Sequence, residues 1–80
     1  MNQSIIFVDR VEYDQSTKRV SYFAQVSGQL ITCFYLTNKS KEDALLDFEN
    51  KKFDYEDIAE SAIEDELYND EGLIEVEELL

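Results

Sequence analysis

Two runs of eight residues, Arg19 to Val26 and Gln29 to Leu36, are separated only by Ser27 and Gly28. Both are rich in β-branched and aromatic residues, and Ser-Gly is a two-residue turn of the kind that closes a β-hairpin. A two-residue loop fixes the register. Val26 then faces Gln29, Ala24 faces Ile31, Tyr22 faces Cys33 and Val20 faces Tyr35. With that pairing one face reads Val20, Tyr22, Ala24, Val26, Ile31, Cys33, Tyr35, apolar throughout. A slip of one residue would scatter this face, because side chains alternate with period two. The opposite face carries Ser21, Phe23, Gln25, Leu30, Thr32, Phe34 and Leu36, richer in large apolar groups than a plain solvent face.

What covers the apolar face comes later in the chain. Tyr55, Ile58, Ala59, Ala62, Ile63 and Leu67 fall at the spacing of one helical stripe. Asp54 is suited to the N-cap, with Asp57 three residues on, and Phe53 is placed to pack on Ile58 as a hydrophobic staple. The stripe predicts a helix running to about Asn69. Ahead of it, Ser40 and Asp43 read as a capping box for a shorter helix ending near Asn50, with Ala44, Leu45 and Phe48 inward. Ser4 to Val8 reads as a short strand, and Val11 to Asp14 as a second one or an extended link. Asp70, Glu71 and Gly72 form a turn, and Leu73 to Glu77 alternates as a final strand. The expected fold class is α+β: a small antiparallel sheet with two helices packed on one face, in the order β-β-β-α-α-β, as a single domain over residues 1–80.

Charge divides the chain. Residues 1–37 hold three bases and three acids, whereas residues 38–80 hold four lysines and sixteen acids, the whole of the net −12. From Asp54 onward there are twelve acids and no base. Such a surface repels nucleic acid and anionic lipid and attracts cationic partners. No apolar run approaches the roughly 20 residues that span a bilayer. The opening MNQSIIFVDR has no basic region leading into a signal-like core, so a cytoplasmic location is expected. The single cysteine, Cys33, excludes an internal disulfide and fits a reducing compartment.

The chain resembles bacterial domain-of-unknown-function family 1488. Phe7, Asp9 and Arg10 followed by Tyr13 and Asp14 look like that family's opening. Val20, Tyr22, Ala24, Val26 and Gly28, then Ile31 and Cys33, look like its hairpin. The run from Phe48 to Ile63 and the closing Asp70, Gly72 and Ile74 look like its helical half and last strand. Family members often have tryptophan where Tyr13 stands and proline where Phe23 stands. The resemblance implies a small α+β domain and brings no established activity with it.

The residues argue against catalysis. Histidine, the commonest general base and metal ligand, is absent. Cys33 lies mid-strand on the predicted core face, where a thiol is a small hydrophobe of low reactivity. The carboxylates sit on solvent-facing helix positions with nothing to separate their pKa values. An EF-hand alignment on Gly72 fails because its first ligand position falls on Leu67. No cofactor is expected. Two classes of function remain. The first is a non-enzymatic protein-interaction or regulatory module. It would offer the acidic face of Glu56, Glu60 and Glu64 to a basic protein, or the outer sheet face of Phe23 and Phe34 to a second copy. The second is a small-ligand binder or enzyme with a polar site around Arg10 and Tyr13.

Overall fold

The computed structural model describes residues 4–80. In chain order the elements are β1 (Ile5–Asp14), β2 (Arg19–Val26), β3 (Gln29–Leu36), α1 (Lys41–Asn50), α2 (Lys52–Glu64) and β4 (Leu73–Glu75). They form one four-stranded sheet in the order β1-β2-β3-β4, with both helices on one face. The α+β class and the element order are those expected.

The hairpin has the expected register, with Val20 opposite Tyr35, Tyr22 opposite Cys33 and Ala24 opposite Ile31. Ser27 and Gly28 both have positive φ, at 51° and 82°, as a type I′ turn requires. The two candidate N-terminal strands are one strand, β1, interrupted by a wide bulge. Phe7 pairs with Ala24 and Val11 with Tyr22, so Val8, Asp9 and Arg10 all stand opposite Phe23. Two residues are thereby added to one side of the ladder. An even number preserves the alternation, and Phe7 and Val11 both stay on the helix-covered face.

The sheet is mixed rather than antiparallel, because β4 runs parallel to β3, with Cys33 opposite Ile74. The joint between the helices explains this. Lys51 is at once the C-cap of α1 and the N-cap of α2. One residue is too little for an antiparallel helix hairpin, which needs a loop of about 2–5. The helices act instead as one crossover that returns the chain to the starting end of β3, where a neighbour enters parallel.

The same joint overturns the expected start of α2. The Lys51 N–H is taken by the carbonyls of Asp47 and Phe48, and no side chain caps α2. Asp54 lies inside the first turn rather than at the cap, and Phe53 is 79% exposed, so there is no staple. α1 does begin as expected, with the Ser40 hydroxyl accepting from the Asp43 N–H. α2 also stops early, at Glu64. The Leu67 N–H reaches the Ala62 carbonyl at 3.1 Å and the Glu66 N–H the Ile63 carbonyl at 2.9 Å. This is a Schellman termination with Glu66 in the left-handed position, φ 56°. Leu67, assigned to the stripe by spacing, is therefore outside the helix and exposed.

The core joins the inner sheet face to Ala44 and Phe48 of α1 and to Tyr55, Ala59 and Ile63 of α2. Ile58 and Ala62 lie at its margin, and Leu45 is half-buried. Aromatic rings fill the centre. Tyr35 and Tyr55 stack with centroids 4.4 Å apart, and Phe48 lies 5.5 Å from Tyr55 and 5.1 Å from Tyr22. The Tyr22 hydroxyl donates to the Tyr55 carbonyl at 2.8 Å. At the entrance to β4 the Asn69 side chain accepts from the Glu71 and Leu73 N–H groups. Gly72 takes φ 75°, and a Cβ there would stand 3.0 Å from the Leu30 carbonyl oxygen.

Candidate functional site

The bulge in β1 creates a small cavity of about 100 Å³ between the strand and α2, bordered by Arg10, Phe23, Phe48, Lys52 and Glu56. Ligand sites ordinarily enclose about 300–1,000 Å³, and this volume holds only a few waters. Arg10 does not point its charge into it. Its guanidinium pairs with the Glu12 carboxylate, with Nε 2.8 Å from Oε2, and lies 4.9 Å from the Phe23 ring centroid. Lys52 reaches Asp9 of the bulge at 3.5 Å and ties α2 to β1.

Tyr13 is elsewhere. It pairs with Val20 and packs against the core, and its hydroxyl donates to the Lys39 carbonyl at 3.3 Å. Arg10 and Tyr13 thus lie on opposite faces of the sheet and line different depressions. They are an odd number of residues apart on a strand whose bulge keeps the alternation, so Arg10 falls on the Phe23 side and Tyr13 on the core side. A joint polar site on these two residues does not form.

The polar cluster that does form was not legible in the sequence. Glu78 accepts from the Thr37 hydroxyl at 2.6 Å and from Lys39 at 2.8 Å. Asp47 lies 3.0 Å from Lys51, whose ammonium also donates to the Leu79 carbonyl. The Leu79 N–H donates to the buried Tyr55 hydroxyl at 2.7 Å. This network straps the segment after β4 across the helix layer. Hydrogen bonds from Lys39 and Thr37 hold the Glu78 carboxyl below its ordinary pKa, and the Glu78 bond raises that of Lys39. Burial pushes the Cys33 thiol up to about 12, which leaves it protonated and inert at neutral pH.

The two candidate partner surfaces lie on opposite sides of the molecule. On α2, Glu60 and Glu64 are exposed and Glu56 is half-buried at the rim of the cavity. Among the described residues none of the three has a base within ion-pairing distance. On the outer sheet face Phe23 is only 8% exposed, because the bulge and Arg10 cover it. It is not part of an open patch. Phe34 is half-buried under Arg19, whose guanidinium lies 4.0 Å from its centroid. The open apolar groups on this face are Leu30, Leu36 and Ile6, each at least half exposed.

Residues 5–76 match the family described as "Protein of unknown function (DUF1488)". The chain belongs to this family. Among DUF1488 relatives, the uncharacterized protein YrdB of Escherichia coli (strain K12) is 33% identical, the match covering 92% of this chain and 96% of YrdB. YrdB of Shigella flexneri is 32% identical with the same coverage. A crystal structure of a DUF1488 protein of unknown function from Shewanella loihica PV-4 superposes with a TM-score of 0.81 at 34% identity, covering 95% of this chain and 94% of that one. The residues that carry the DUF1488 resemblance now have places. Phe7, Asp9, Arg10, Tyr13 and Asp14 are on β1 around the bulge, and Asp70, Gly72 and Ile74 build the turn into β4. No group of three or more metal-ligating side chains occurs among the described residues, and no described helix is long and apolar enough to cross a membrane.

Proposed function

We propose that this DUF1488 protein is a non-enzymatic protein-interaction module that docks a basic protein partner on the outer face of α2. The observation that carries this reading is where the bases go. Arg10, Lys39, Lys51 and Lys52 pair with Glu12, Glu78, Asp47 and Asp9, and none pairs with Glu56, Glu60 or Glu64. These glutamates stand at i, i+4 and i+8 on one helix, so each adjacent pair costs about 0.2–0.5 kcal/mol. A cationic surface placed along them relieves that repulsion and gains electrostatic steering. The small volume of the bulge cavity and the separation of Arg10 from Tyr13 leave the ligand-binding alternative with little support.

The test is a Glu56→Gln/Glu60→Gln/Glu64→Gln variant, compared with wild type in affinity capture at moderate salt. Proteins lost by the variant are then purified and titrated directly. The expected result is a basic partner whose affinity falls with salt and with the substitutions. Recovery of the same proteins by both chains overturns the reading and assigns the acids to solubility.

A further inference from the structure

We infer that Phe53 makes the acidic face of α2 selective for arginine: a partner's guanidinium lies on the Phe53 ring and pairs with Glu56 or Asp57 one turn along. The inference rests on the reading of α2 as a docking face and names the chemistry of its occupant, an arginine-bearing segment of a basic protein. From Phe53, Glu56, Glu60 and Glu64 follow at i+3, i+7 and i+11, so ring and carboxylates share one stripe of the helix. Asp57 borders the stripe at i+4 and is exposed. At 1.5 Å per residue the stripe is about 16 Å long. The Phe53 ring stands at one end of it, 79% exposed. A lone exposed apolar residue is ordinary on a protein surface. Phe53 is set apart by the carboxylates one turn away, with Cβ atoms about 5–6 Å from its own.

The chain's own arginines show the chemistry. There are two, Arg10 and Arg19, and both lie on phenylalanine rings, 4.9 Å from the Phe23 centroid and 4.0 Å from that of Phe34. Arg10 at the same time pairs with the Glu12 carboxylate. A ring and a carboxylate together hold the planar guanidinium stacked and charge-paired. Phe53 with Glu56 and Asp57 offers the same two groups, and the chain has no third arginine to place there. The adjacent lysines are engaged elsewhere, Lys51 with Asp47 and the Leu79 carbonyl and Lys52 with Asp9. Among the described residues no cation lies over the Phe53 ring. Lysine is the poorer occupant, because its compact, strongly hydrated ammonium cannot stack on a ring face. Anionic surfaces are repelled by the twelve acids that follow Phe53.

The experiment titrates the whole chain, at moderate salt, with a helical peptide carrying one arginine per turn and with the same peptide carrying lysines. The arginine peptide is expected to bind wild type about two- to fivefold more tightly than the lysine peptide. Phe53→Leu is expected to bring the arginine peptide down to the lysine level while the lysine affinity changes little. The substituted side chain is exposed, so folding is retained, and a thermal melt verifies it. The chain has no tryptophan, so the emission of a Phe53→Trp variant reads the ring directly, and the arginine peptide is expected to shift it more than the lysine peptide does. Equal affinities for wild type, or an arginine preference that survives Phe53→Leu, overturn the inference and leave docking on α2 in place. Binding that is indifferent to the Glu56→Gln/Glu60→Gln/Glu64→Gln variant overturns both, because the peptides then sit on other acids. Failure of both peptides to bind overturns the inference.

Discussion

Single residues hold the turns of this molecule in conformations that most side chains avoid. Ser27, Gly28, Glu66 and Gly72 all have positive φ. Glycine at two of them is what the conformation favours. Glu66, like Ser27 and Lys18, is costly there, because a left-handed residue with a Cβ is disfavoured by about 1–2 kcal/mol. Its charge also lies against the negative end of the α2 dipole. Glu66→Gly is expected to stabilise the protein by about 0.5–1 kcal/mol once glycine's greater unfolded-state freedom is subtracted. In a domain of this size that corresponds to a rise of a few degrees in melting temperature. An unchanged or lower melting point would mean that the Leu67 and Glu66 hydrogen bonds depend on the glutamate side chain.

Among the elements, α2 is seated by Tyr55 rather than by a cap or staple. The Tyr55 ring stacks on Tyr35, its carbonyl accepts from Tyr22 and its hydroxyl accepts from Leu79. These contacts rotate the helix so that Ala59 and Ile63 are central and Ile58 is marginal. Ile63→Ala is expected to cost about 2–5 kcal/mol in urea denaturation, a large share of the roughly 5–15 that holds a domain together. Ile58→Ala is expected to cost less than half as much. Equal losses would put the stripe back where spacing alone placed it. The strap after β4 adds a pH dependence. Glu78 is depressed below its ordinary 4.5 in the folded state. Its contribution is therefore present above that value and lost as pH falls through the lower folded one. Lys39 is raised above its ordinary 10.5, so its contribution is complete below that value and lost as pH climbs through the higher folded one. Between these limits the pair is a plateau, and Glu78→Gln should soften the acid limb of a stability–pH curve.

For the molecule as a whole, the acidic half sets the response to salt. Twelve acids and no base follow Phe53. Self-repulsion of this kind is screened within about 10 Å at 0.1 M salt. The triple glutamine variant of α2 is expected to melt higher than wild type at low ionic strength, with the gap closing as salt is added. A gap that persists in high salt would point to packing rather than charge. This measurement reads the energetics of the face and is independent of whether a partner docks there.

The hairpin is legible in the chain alone, because turn length and alternation demand the same register of Tyr22 and Cys33. So are the α+β class, the cap at Ser40 and the positive φ of Gly72, each written in residues a few positions apart. Packing supplied the rest. The parallel entry of β4 follows from the one-residue joint at Lys51, and the rotation of α2 from Tyr55 meeting Tyr35. Arg10 and Tyr13 part because the bulge, invisible in the pattern, makes one alternating strand of what reads as two segments. The Thr37–Lys39–Glu78 strap joins residues about forty positions apart. Local pattern reports which side chains want burial; which of them meet is set by how the elements pack, and no short window of sequence contains that.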